Sequence, residues 1–110
     1  MDGVAVTGLV SPSRGANECI LFRAEIQPGG SLPKHRHDHE DVFTMLQGSG
    51  TVHIDEDSYE LGPNDSVVIP AGAHHWLEGG PQGCVIVVTM RAGTLFIRDD
   101  GTSAVPPWGV

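Results

Sequence analysis

Apolar residues in this chain recur at every second position, and that alternation restricts the fold more than any other feature. In "CILFRAEI", residues 19–26, Ile20, Phe22, Ala24 and Ile26 fall on one face, and Leu21, Arg23 and Glu25 on the other. Side chains of an extended strand alternate between faces, so the pattern describes a sheet with one side buried. "PGG" at 28–30 ends the run. Near the N-terminus "VAVTGLV" has strand composition, while "DVFTML" and "TVHID" flank the glycine-rich "QGSG", which predicts strand, turn, strand. "DEDS" and "GPND" read as further turns, with Asn64 able to take the left-handed backbone usually left to glycine. "YEL", "SVVI", "HWLEG", "GCVIVVTM" and "TLFIRDD" supply the remaining strands, with "GGPQG" as a turn between "HWLEG" and "GCVIVVTM". No stretch of ten residues carries an amphipathic helical stripe. Short strands with turns every eight to twelve residues predict an all-β fold, an antiparallel sandwich or barrel. The 110 residues suit one domain. The tail at 101–110 is irregular, and Trp108 is expected to anchor it against the body or a partner chain.

Charge narrows the function classes. Six basic against fourteen acidic residues give a formal net charge of −8. Such a surface repels phosphate backbones and anionic lipid, so no nucleic-acid and no membrane role is expected. No apolar run approaches the length of a bilayer span, and the first twenty residues lack a charged-then-apolar signal pattern. A cytoplasmic protein is expected. Cys19 and Cys84 sit in apolar, strand-like runs without CxxC spacing, and read as reduced core thiols, a cross-strand disulfide being the alternative.

The densest chemistry lies in "HRHDHED", residues 35–41. It reads either as a solvated polar turn or as half of a metal site. His35 and His37 share strand parity and so present two imidazoles on one face. Asp41 re-enters a strand and brings a carboxylate alongside. Two imidazoles and a carboxylate suit a divalent first-row ion, Fe, Mn, Ni, Co, Cu or Zn. A further ligand is available in "PAGAHHW". His74 and His75 are adjacent, so only one of them can face inward.

At this point the sequence resembles the cupin superfamily, as a small single-domain member. The family's first motif is matched by Gly29, His35, His37, Asp41 and Gly48, and its second by Asn64, Pro70, Gly72, His75 and Gly79, so the motifs span about 29–48 and 64–79. Asp41 stands where the family usually has glutamate, Asn64 where it has glycine, and Gly79 where it has asparagine; the Asp41 side chain is one methylene shorter. The resemblance implies a jelly-roll barrel of six to eight antiparallel strands, a metal held by His35, His37 and His75 with Asp41 either a further ligand or an acceptor that orients a histidine N–H, and homodimer formation, for which "VAVTGLV" is a candidate strand. Glu40 is the second choice for the carboxylate, and His74 is expected to face outward.

A metal-dependent enzyme acting on a small-molecule substrate follows as the expected function, with a dioxygenase-type oxidoreductase first. The alternatives are a redox-silent isomerase, cyclase or lyase, and a non-catalytic module that binds metal or a small molecule. His39, His53 and Glu40 are the candidates for a pocket acid or base. Phe22, Phe43, Met45 and Trp76 are candidates for the pocket lining, and Arg23 is a candidate anion contact, with surface exposure its alternative.

Overall fold

The computed structural model describes residues 3–110. Strand β1 (Val4–Val10) leads through a short 3-10 turn to β2 (Cys19–Ile26) and β3 (Ser31–His37). These are followed by β4 (Asp41–Ile54), β5 (Asp57–Leu61), β6 (Ser66–Ile69) and β7 (His75–Arg91). Two-residue strands β8 (Phe96–Ile97) and β9 (Ser103–Ala104) and a second 3-10 turn (Pro107–Gly109) complete the chain. Every pairing is antiparallel, and the sheet order is β1-β2-β7-β3-β8-β9, with β4 joining β7 to β5 and β6. The result is an all-β barrel of the jelly-roll kind.

The alternation in β2 buries the residues it should: Ile20, Phe22, Ala24 and Ile26 enter the core, where Phe43, Met45, Val52, Leu77, Ile86 and Val88 meet them. Burying this apolar face is the main favourable term in folding. β1 pairs along β2, leaving its other side as an edge of the sheet.

Two expected turns are bends instead. "QGSG" lies inside β4 and "GGPQG" inside β7, so two long strands run side by side where four short ones were predicted. Their register slips between Gly48 and Gly50, which face Cys84 and Gly79. Gly48 has φ +76, and a Cβ there would run into the carbonyl oxygen of Gly83, itself at φ +73. Only residues without side chains let both strands bend at one level. "TLFIRDD" contributes only the two residues of β8, and Asn64 takes φ +70 as its turn requires.

Cys84 is buried, but Cys19 is exposed at the start of β2, against its reading as a core thiol; both are free. Trp108 folds back on the chain's own body, 5.6 Å from Phe22 and 6.0 Å from Phe96 between ring centroids. Among the described residues, no helix is long and apolar enough to cross a membrane.

Candidate metal centre

β3 ends on His35 and His37, β4 opens on Asp41, and β7 opens on His75. His35 stands directly across from His75 in the β3–β7 register, which carries the first histidine pair to the second motif. One ring nitrogen from each of His35, His37 and His75 lies within 4.8 Å of the other two. Asp41 Oδ2 is 3.6 Å from His37 Nε2 and 3.9 Å from His75 Nε2.

The outer nitrogens fix the protonation state. His35 Nδ1 lies 2.6 Å from the Pro33 carbonyl, His75 Nδ1 3.0 Å from that of Ala73, and His37 Nδ1 3.3 Å from that of Leu95. A carbonyl only accepts, so each Nδ1 carries the proton and each Nε2 keeps its lone pair. Backbone acceptors behind ligating imidazoles orient them in this way. The Nε2 atoms of His35 and His37 are then 3.1 Å apart with no hydrogen between them, an arrangement that a cation stabilises.

Electrostatics agree. Burial lowers the pKa of His35; it lowers that of His37 to about 3, with His35 and His75 adding to the effect, and that of His75 to about 4. His37 and His75 are therefore neutral at physiological pH, and burial favours the neutral form of His35 as well. Burial pushes the Asp41 carboxyl up to about 7, the nearness of its own backbone amide working the other way without a formed hydrogen bond. Both Asp41 carboxyl oxygens and His75 Nε2 are buried without a hydrogen-bond partner. Buried polar atoms seldom stay unpaired. Three convergent imidazole lone pairs beside an unpaired carboxyl fit a divalent transition ion.

A cavity of about 450 Å³ opens over this centre, lined by Phe22, Leu32, Phe43, Val88, Phe96 and Trp108 among others, with His35, His37 and Asp41 also on its wall. Phe96 lies parallel to His35, 9° between ring planes, and edge-on to His37 at 4.1 Å. Of the aromatic and Met candidates, Phe22 and Phe43 line this cavity. Met45 and Trp76 do not: Met45 is fully buried in the core, and Trp76 lies parallel to His53 at 4.4 Å, away from the cavity. Parity explains Trp76, because it follows the inward-facing His75. His53 pairs with it in register, so it shares that outer face, bonded to Ser58 Oγ at 2.8 Å and Glu78 at 3.3 Å. His39 contacts Asp38 at 3.0 Å, and Glu40 is exposed; neither lines the cavity. The three candidate acid–base groups, His39, His53 and Glu40, are thus all placed off the cavity wall. Arg23 pairs with Glu25 at 2.7 Å and is no cavity residue. Sequence reasoning missed Phe96, Arg98 and the wall made by Trp108. Phe96 and Arg98 share strand parity in "FIR", the one signal that could have grouped them.

The cupin domain family model matches residues 22–90 of the chain. The chain is 36% identical over 66 residues to the dimethylsulfoniopropionate lyase DddW of Ruegeria pomeroyi, covering 60% of this chain and 43% of that protein. It is 29% identical over 106 residues to the acireductone dioxygenase of Stutzerimonas stutzeri, covering 93% of this chain and 53% of that protein. The chain thus spans about half the length of these two relatives. The polyketide cyclase RemF of Streptomyces resistomycificus superposes with a TM-score of 0.74 at 28% identity, covering 90% of this chain and 75% of that one.

Proposed function

The chain belongs to the cupin family, and on that premise we propose that it is a metal-dependent enzyme acting on a small organic substrate, with a dioxygenase-type oxidation as its reaction. One observation carries this: three imidazole lone pairs converge beside an unpaired carboxyl, and two of those histidines, His35 and His37, line an aromatic-walled cavity together with Asp41. A divalent Fe, Mn, Ni, Co, Cu or Zn ion held by His35, His37 and His75, with Asp41 alongside, would supply Lewis-acid activation and, if redox-active, a path for electrons to dioxygen. The protein's own part is binding, orientation and exclusion of water. Phe22, Phe43, Phe96 and Trp108 give the substrate an apolar enclosure. The carbonyls of Pro33, Ala73 and Leu95 hold the imidazoles in one tautomer. The likeness to acireductone dioxygenase over nearly all of this chain supports the oxidative reading.

A redox-silent cyclisation or elimination is the second reading, favoured by Asp41. Its carboxyl, pushed up to about 7, can give or take a proton at Oδ2 near neutral pH. The likenesses to a polyketide cyclase and a lyase support it. In either case we place the enzyme in the cytoplasm as a homodimer; free Cys19 and Cys84 and the acidic surface agree with that compartment.

Elemental analysis of tag-free protein purified without added metal, followed by oxygen uptake with enols, catechols and β-diketones, tests the proposal. Bound iron with stoichiometric uptake supports the oxidation. Zinc with anaerobic turnover moves the assignment to cyclase or lyase. Protein that loads metal but turns over nothing, in air or without it, is a binding module and ends the enzyme reading.

A further inference from the structure

The cavity is apolar on all sides but two. Its floor carries His35, His37 and Asp41, and its wall carries Lys34 and Arg98. For a chain with six basic and fourteen acidic residues this is a skewed distribution. Two of the six cations line the cavity, and among the described residues Asp41 is the only acid that does. The two cations differ. The Lys34 ammonium lies 5.6 Å from the centroid of the Trp76 ring, and Trp76 is not a cavity residue, so that charge is directed elsewhere. Arg98 follows Phe96 at matching parity, and Phe96 lies against His35 and His37. Its guanidinium has one weak contact, Nη1 to Thr102 Oγ1 at 3.5 Å. Among the described residues the one ion pair made by an arginine or lysine is Arg23–Glu25, so Arg98 has no carboxylate partner. Asp99 is close enough to raise the His35 pKa, but it does not line the cavity. Asp100 feels the Arg98 charge but makes no ion pair with it, and its carboxylate accepts instead from the Thr102 amide at 2.9 Å and hydroxyl at 2.6 Å.

We propose that the cavity takes an aromatic carboxylate, its ring held among Phe22, Phe96 and Trp108 and its carboxylate read by Arg98 and not by the metal centre. The inference rests on the preceding reading only in taking this cavity as the substrate site. The rings supply the apolar, flat surfaces. Phe22, Phe96 and Trp108 are mutually tilted by 46°, 59° and 79°, so they form walls at angles to one another and not a stack closed on itself. Arginine supplies a planar, permanently charged fork whose geometry matches a carboxylate. With only the weak Thr102 contact to give up, Arg98 loses little besides water when the ligand arrives. Arg98 would select acids over isosteric neutral molecules.

A matched pair tests this: trans-cinnamate and trans-cinnamamide, titrated by calorimetry into chelator-treated and zinc-loaded protein. Binding within the cavity is followed in parallel through Trp108 fluorescence in a Trp76→Phe background, which leaves Trp108 as the sole tryptophan. The acid should bind about tenfold more tightly than the amide in both metal states. Arg98→Gln should bring the two within about twofold, and Arg98→Lys should retain part of the preference. Arg98 is exposed, and an unchanged melting temperature in the variant shows that the fold is kept. Three results overturn the proposal: neither probe binds, the preference survives Arg98→Gln, or the preference exists only with zinc present, which would put the carboxylate on the metal. Failure of the wild-type protein to retain zinc, with the acid preference intact in chelator, would overturn the metal reading and leave this one standing.

Discussion

His75 Nε2 stands 3.9 Å from Asp41 Oδ2, although in the sheet register His75 faces Ile54, the last residue of the strand that Asp41 opens. Fourteen extended residues span roughly 45 Å. The two ends of β4 are thus brought to one point by curling, and the site exists only where the barrel closes. The same bend at Gly48–Gly50 and Gly79–Gly83 that turns the long strands also joins the two histidine motifs. Fold and site are therefore one structural event, and disturbance of the bend should be felt at the metal.

Asp41 should change the sign of its contribution with metal occupancy. In metal-free protein its carboxyl is raised from an ordinary 3.8 to about 7. Below pH 3.8 it is protonated folded or unfolded and costs nothing. Between 3.8 and 7 the unfolded chain ionises while the fold holds the proton, so stability falls as pH rises through that window. The histidines act oppositely. With His37 and His75 lowered from 6.5 to about 3 and 4, stability is whole above pH 6.5 and is lost as pH falls. Two histidine slopes outweigh one carboxyl slope up to pH 6.5, so melting temperature in chelator should rise with pH and peak at about pH 6.5–7. Asp41→Asn should stabilise metal-free protein at pH 8 by on the order of 1–3 kcal/mol and give no gain at pH 4. In metal-loaded protein the same substitution should weaken retention, read by chelator competition. A metal-free variant no more stable than the parent at pH 8 would refute the burial account.

Asp38 should hold the metal site together without touching it. Its Oδ1 accepts from the Leu95 amide at 2.8 Å, and the Leu95 carbonyl in turn accepts from His37 Nδ1 at 3.3 Å. Asp38 and His37 thus hold Leu95 from its two sides, amide and carbonyl, and Phe96 follows it. Removing such a supporting partner typically costs 10- to 100-fold in metal affinity. Asp38→Ala should lose about tenfold in zinc affinity while its melting temperature in chelator falls by only a few degrees. Asp38→Asn, which keeps an acceptor oxygen, should recover most of the affinity. Equal losses in both variants would assign the effect to charge and not to the hydrogen bond.

The two cysteines should separate by reactivity. Cys19 is exposed, while Cys84 is buried and burial pushes its thiol pKa up. Since the thiolate is the reacting species, a thiol reagent at pH 8 should label one cysteine per native chain and two after denaturation. Labelling should vanish in native Cys19→Ser; rapid double labelling of the native protein would contradict the burial of Cys84.

Much of this was legible in the sequence, and the rest was hidden for identifiable reasons. Parity within "HRH" and the two-motif resemblance pointed to His35, His37 and His75, and a carboxylate four residues after His37 to Asp41. Parity also held the answer for Trp76 and His53: a strand that turns His75 inward turns its neighbour and that neighbour's register partner outward. "QGSG" and "GGPQG" misled because a glycine run interrupts alternation equally whether the chain reverses or bends. Only the partner strand decides, and β4 and β7 decide for each other. Cys19 sits at the odd parity of "CILF", opposite to Ile20 and Phe22, so composition suggested burial where position denied it. Trp108 was expected to anchor, but its place in the cavity wall depends on how the tail docks, which no local pattern encodes.

The bend itself can be tested by comparing two glycines with similar backbone and different surroundings. Gly48 at φ +76 and Gly15 at φ +98 both occupy the left-handed region, where a non-glycine residue costs roughly 1 kcal/mol. A Cβ on Gly15 meets nothing within 4 Å, whereas on Gly48 it collides with the Gly83 carbonyl oxygen and approaches Cys84 Cα at 3.0 Å. Those are backbone atoms of the paired strand, which cannot move without shifting β7. Gly15→Ala should therefore lose about 1 kcal/mol and leave zinc binding unchanged, while Gly48→Ala should lose about 3 kcal/mol or more. If the bend and the metal centre are linked through β7, Gly48→Ala should also release zinc to a chelator faster than Gly15→Ala does, at a temperature where both are folded. Equal zinc release from the two variants would separate the bend from the site.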